Sequence, residues 1–134
     1  MWVFLIAGLL LAASGSASAQ SRVDAILSAM TLEQRVAQMF MVTLHGSVLT
    51  NVGADFLRRW QPGAVVLFTS NTGTPAAVTR LTNAYQETIT GAGGVPLLIA
   101  IDQEGGVVQR LTEGFTFFPT PWLVTAAGET WAAR

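Results

Sequence analysis

Two stretches of the chain are apolar at every position: Ala64-Val65-Val66-Leu67-Phe68 and Leu97-Leu98-Ile99-Ala100-Ile101. A strand with one face in water alternates apolar and polar side chains, so a run without alternation needs cover on both faces, as in parallel sheets flanked by helices. Between the two runs lies a segment of helical period. Thr74-Pro75 supplies an N-cap and a proline for the first helical position, and Val78, Leu81, Tyr85 and Ile89 fall on one face ahead of Gly91, Gly93 and Gly94. Strand, helix, strand in this order implies a right-handed parallel crossover.

The same alternation extends upstream. Thr31-Leu32-Glu33-Gln34 fits a capping box, and Leu32, Val36, Met39 and Phe40 recur at helical spacing, so a helix is expected to start near Met30. Phe40 to Leu44 reads as a short buried strand ending at His45-Gly46. Phe56, Leu57 and Trp60 mark a short helix, with Asn51 as its cap and Pro62-Gly63 as its stop. Trp60, Phe68 and Tyr85 sit at core spacing, which packing explains without a ligand. Ala126 to Arg134 reads as the first turns of a further helix.

Composition narrows the function classes. Hydrophobic residues make up 51% and charged ones 11%, as in a chain that buries a core, and the net charge is −1. All seven basic residues are arginines, scattered except for Arg58-Arg59, so no basic stripe exists to follow a phosphate backbone and no nucleic-acid partner is expected. The absence of cysteine excludes disulfides, thiolate metal sites and a cysteine nucleophile. Gly-Ala-Gly-Gly at 91–94 precedes a strand instead of following one, and the chain has no lysine; neither a dinucleotide fingerprint nor a P-loop is present.

The first residues differ from the rest. Trp2 to Ala13 is unbroken apolar sequence, followed by small polar residues and Ala17-Ser18-Ala19 before Gln20, the pattern of a signal peptide with an A-x-A cleavage site. The expected division is a signal peptide over 1–19 and a folded portion over 20–134, exported to the periplasm or the exterior. About a dozen apolar residues fall short of the roughly 20 that cross a bilayer, so no stable membrane span is expected after cleavage.

Chemistry concentrates after the Leu97–Ile101 run. In parallel α/β folds the loops beyond the carboxyl ends of the strands form the ligand crevice, and Asp102 stands at such an end. Asp102 and Glu104 offer acceptors and Arg110 a donor fork, suited to a polyhydroxylated ligand, and Gly105-Gly106 permits a sharp turn and close backbone approach. A carboxylate that only caps its own loop would look the same in isolation. His45, alone beside Gly46, reads as a rim or turn residue.

The strings Ile-Asp-Gln-Glu-Gly-Gly-Val-Val-Gln-Arg-Leu (101–111) and Gly-Phe-Thr-Phe-Phe-Pro-Thr-Pro (114–121) resemble the signature of glycoside hydrolase family 3 in its β-N-acetylglucosaminidase branch. Residues 30–42 and 62–71 resemble two earlier blocks of that family, in the same order. The resemblance implies an α/β fold, the N-terminal part of a TIM-type (β/α)8 barrel comprising about three βα units. Such a barrel typically needs about 250 residues, so this chain is expected to be a truncated portion.

The implied activity is retaining hydrolysis of terminal β-linked N-acetylglucosamine, with a carbohydrate substrate and no metal or organic cofactor. Asp102 and Arg110 match family positions that bind hydroxyls of the sugar, while Glu104, Gly105 and Gly106 are expected to support the loop. The family nucleophile, an Asp on a late strand, and the acid/base His near a Lys-His-Phe-Pro-Gly-His-Gly string have no counterpart in the 134 residues. No catalytic residue is therefore assigned in this chain. A β-glucosidase-like hydrolase and a non-catalytic sugar-binding fragment remain alternatives. Val107, Ser70 and Pro121-Trp122 depart from the usual family residues at the expected rim of the pocket.

Overall fold

A computed structural model describes residues 19–128. The apolar run, most of the A-x-A site and residues 129–134 lie outside the described residues. The chain divides into two units, Met1–Arg35 and Val36–Arg134.

In the first unit, helix α1 occupies 19–29, where Gln20 donates to Asp24 at 3.0 Å. Thr31 then accepts from the Gln34 backbone N–H through its hydroxyl (3.2 Å), and the Gln34 side-chain oxygen accepts from the Thr31 N–H (3.0 Å). This reciprocal box satisfies two of the N–H groups that every helix start leaves open. It begins helix α2, Leu32–Ala37.

The second unit is built on a parallel sheet of three strands in the order β1-β2-β3: β1 is Met41–Val42, β2 Ala64–Leu67 and β3 Leu98–Ile101. Met41 pairs with Ala64, and Ala64 to Leu67 pair in register with Leu98 to Ile101. Helix α3, Asn51–Trp60, crosses from β1 to β2, and α4, Pro75–Gly91, from β2 to β3. Leu57 from α3, Leu81, Tyr85 and Ile89 from α4, Val65 and Leu67 from β2, and Leu97 just ahead of β3 form the buried core. Tyr85 is 1% exposed, and burial raises its phenol pKa above the ordinary value, because the phenolate would lose its hydration.

Helix ends explain where the elements stop. Thr74 accepts from the Ala77 N–H and Pro75 opens α4, as the sequence indicates. For α3 the cap is Thr50, whose hydroxyl accepts from the Gly53 N–H at 3.1 Å; Asn51 is the first helical residue. Gln61 ends α3 in the left-handed region (φ 48°), returns its N–H to Leu57 O, and donates its side chain to Ala92 O. Gly63 follows with no room for a Cβ, which would collide with the Gln38 backbone.

Other elements differ from the sequence reading. The first strand is limited to two residues, and β2 ends before Phe68, which opens a single 3₁₀ turn at Thr69–Asn71. Trp60 and Phe68 are partly exposed, so of the three aromatics placed in the core only Tyr85 is there; the Trp60 ring carries the Arg59 guanidinium at 5.1 Å instead. Leu98 of β3 is 72% exposed, because β3 is a sheet edge covered on one side only. Helix α5, which the sequence reading did not include, spans Pro121–Ala126 with Thr120 as its cap, and the helix expected over 126–134 falls largely outside the described residues. The Thr-Pro step that opens α4 also opens α5.

Candidate functional site

All three strands run parallel, so their carboxyl ends share one side of the sheet, and Asp102 directly follows β3 there. The chain then forms an antiparallel hairpin that the sequence reading did not include: β4 is Gln103–Gly105 and β5 Val108–Gln109. Its two-residue loop, Gly106-Val107, needs a left-handed first residue, and Gly106 has φ 59°. Gly105, at φ 85°, marks the register shift.

The hairpin brings Arg110 back beside Asp102. The Arg110 Nη2 lies 3.8 Å from Asp102 Oδ2, an ion pair too long for a good hydrogen bond. Arg110 Nε is buried and has no hydrogen-bond partner. Two opposite charges thus face each other without exhausting their hydrogen-bonding capacity. Asp102 is exposed, Arg110 partly buried. Glu104 is exposed as well, on the opposite side of the strand from its neighbours in the alternation of β4.

Gly105 and Gly106 are where the hairpin meets the segment leading to α5. A Cβ on Gly105 would collide with the Pro119 carbonyl and one on Gly106 with the Thr120 methyl; the Gly106 N–H donates to Phe118 O at 2.9 Å. Gly105 therefore allows backbone to lie on backbone, and Gly106 leaves room for the Thr120 side chain.

Three side chains outside the sequence assignment shape this end of the sheet. Gln103 and Gln109, register partners across the hairpin, bond the backbone of residues 110 to 118. Asn71, 1% exposed, donates to Leu44 O (2.6 Å) and Gly46 O (2.8 Å) and accepts from the Phe68 N–H (2.9 Å). It ties the loop after β2 to the loop after β1. An Asn closing the short polar stretch after an apolar run was the available signal for it, but the partners are distant in sequence.

His45 lies in the β1 exit loop and lines a groove of about 360 Å³ with Leu44, Val48, Leu49, Val52 and Phe56. The groove wall is mostly apolar, and His45 is exposed. Among the described residues no cluster of His, Cys, Asp and Glu could hold a metal ion, and no helix is long and apolar enough to cross a membrane.

Comparison with known proteins gives this geometry a context. Residues 31–133 match the Glycosyl hydrolase family 3 N terminal domain. The β-hexosaminidase of Alkalilimnicola ehrlichii is 41% identical over 86 residues, which are 64% of this chain and 24% of that protein. The chain thus spans about a quarter of the length of such relatives. Among solved structures, a glycoside hydrolase family 3 β-N-acetylglucosaminidase from Paenibacillus sp. str. FPU-7 is 36% identical with a TM-score of 0.72, over 75% of this chain and 19% of that one. NagZ from Neisseria gonorrhoeae, solved in complex with N-trifluoroacetyl-D-glucosamine, is 33% identical with a TM-score of 0.53, over 59% of this chain and 22% of that one. With its parallel βαβαβ order and a family match across most of its length, the chain belongs to glycoside hydrolase family 3, and its sheet is part of that family's TIM-type (β/α)8 barrel.

Proposed function

We propose that this chain supplies the sugar-positioning wall of a retaining glycosidase that removes terminal β-linked N-acetylglucosamine. Asp102 accepts from sugar hydroxyls and Arg110 donates to them, and Glu104, Gly105 and Gly106 belong to the loop that carries both. The carrying observation is the incomplete Asp102–Arg110 pair at the carboxyl end of β3, 3.8 Å apart with a buried Arg110 Nε left without a partner. A pair left open in this way keeps donor and acceptor capacity for a hydroxylated ligand. The relatives named β-hexosaminidase and β-N-acetylglucosaminidase, and the glucosamine derivative bound to NagZ, support the choice of sugar.

Retaining hydrolysis with two carboxyl groups needs them on opposite faces of the sugar bond, about 5 Å apart. Asp102 faces an arginine, and the family nucleophile and acid/base strings do not occur in the 134 residues. The chain by itself therefore holds a sugar without cleaving it, the function of a non-catalytic portion. Export by the residues 1–19 signal belongs to the same reading; mass spectrometry of the secreted protein should find Gln20 at its start.

The test is turnover of a chromogenic β-N-acetylglucosaminide. The chain alone should give none. A full-length relative in which residues 31–128 replace the matching segment should turn it over, and Asp102→Asn should lower its kcat/KM roughly 10- to 100-fold, the cost of one charge-assisted hydrogen bond in the transition state. Turnover by the isolated chain that Asp102→Asn abolishes would sink the assignment.

A further inference from the structure

We propose that Gln103 is a positioning residue for Arg110, acting as an extra rung at the end of the hairpin ladder. The proposal rests on the reading of Asp102 and Arg110 as sugar contacts. β5 ends at Gln109, so the backbone of Arg110 has no strand partner. The Gln103 side chain supplies the missing one: its Oε1 accepts from the Arg110 N–H and the Leu111 N–H, both at 3.0 Å, and its Nε2 donates to Leu111 O at 3.2 Å. A single carboxamide thus holds the N–H groups on both sides of the Arg110 Cα.

Gln103 follows Asp102 directly, so the residue that fixes the Arg110 backbone is attached to the carboxylate that Arg110 faces. The spacing of the two sugar-binding groups is then set by one short rigid link. Gln109, opposite Gln103 in register, steadies the far side: its Nε2 donates to Leu111 O (3.1 Å) and Thr116 O (3.2 Å), and its Oε1 accepts from the Phe118 N–H (3.1 Å). A glutamate at 103 would keep both acceptor bonds and lose only the donor. A leucine would keep the volume and lose all three, leaving Arg110 free to swing away from Asp102.

The experiment uses the full chain, isotope-labelled at arginine and at methyl groups, and N-acetylglucosamine as the probe. The Arg110 Nε–H resonance reports the placement of the guanidinium, and the Leu81 and Ile89 methyl signals report the core. Gln103→Leu should leave the methyl signals in place, move the Arg110 resonance to that of an exposed arginine, and weaken the sugar-induced shift by at least about tenfold in affinity. Gln103→Glu should restore affinity to within about threefold of the unaltered chain, since the acceptor bonds carry most of the constraint.

An unmoved Arg110 resonance with unaltered affinity in Gln103→Leu overturns the proposal. If Gln103→Leu also loses the methyl signals, Gln103→Glu decides: retained Arg110 placement supports the proposal and a free Arg110 overturns it. If the unaltered chain shows no response to sugar, the proposed function fails, while the Arg110 resonance of the sugar-free variants still tells whether Gln103 sets its place.

Discussion

Single polar side chains hold the carboxyl side of this sheet together, and Asn71 is the most committed of them. Buried with all three of its polar contacts on backbone, it cannot be replaced by an apolar residue without stranding Leu44 O, Gly46 O and the Phe68 N–H. Asn71→Ala should lower the unfolding free energy by roughly 2–4 kcal/mol, measured by urea titration, because buried groups left unpaired cost about 1–3 kcal/mol each and loop relaxation recovers part. Gly105→Ala should be at least as damaging to the hairpin, since φ 85° is strained for alanine and the new methyl meets the Pro119 carbonyl. That Asp102, Arg110 and the glycine pair come together at one end of the sheet was legible in the sequence, because they form one short string after an apolar run. Asn71 and Gln103 were not, since a carboxamide gives no charge or periodicity and its role depends on which backbone groups the fold leaves unpaired.

At the level of elements, helices were read better than strands. α4 carries three independent marks, a Thr cap, a proline at its first position and an apolar face, and all three describe what forms. For α3 the sequence reading placed the cap at Asn51, and the geometry moves it one residue back to Thr50. Thr50→Ala should cost about 1 kcal/mol and Asn51→Ala much less, by thermal unfolding of the two variants. The short strands and the hairpin were harder to see, because their limits follow from which neighbours exist to pair with. Tyr85 gives α4 a pH signature. Its folded-state pKa is raised by burial, so the neutral phenol favours the folded state: the stability is fully present below the unfolded value near 10 and is lost as pH rises through the folded value. It is the single tyrosine, so absorbance near 295 nm should show late phenolate formation in step with unfolding, and Tyr85→Phe should remove that alkaline loss.

For the whole molecule, the decisive fact is that β1 and β3 are both sheet edges among the described residues. Met39, two residues ahead of β1, is 77% exposed, Met41 on β1 52% and Leu98 on β3 72%, so exposed apolar side chains lie on or next to both open edges. Sedimentation velocity of residues 20–134 should show self-association that grows with concentration, and Met39→Lys with Leu98→Lys should suppress it. A single monomeric boundary across concentrations would count against open edges. The strand order and the crossovers were already implied by the unbroken apolar runs, whereas the exposure of β3 was not, since sequence alone cannot say whether both faces of a run find cover. The hairpin after β3 behaves in the opposite way to these edges. Every hydrogen bond that shapes it comes from residues 103 to 118, all close in sequence. The hairpin can therefore take form as soon as that stretch of polypeptide emerges, indifferent to the order in which other strands arrive.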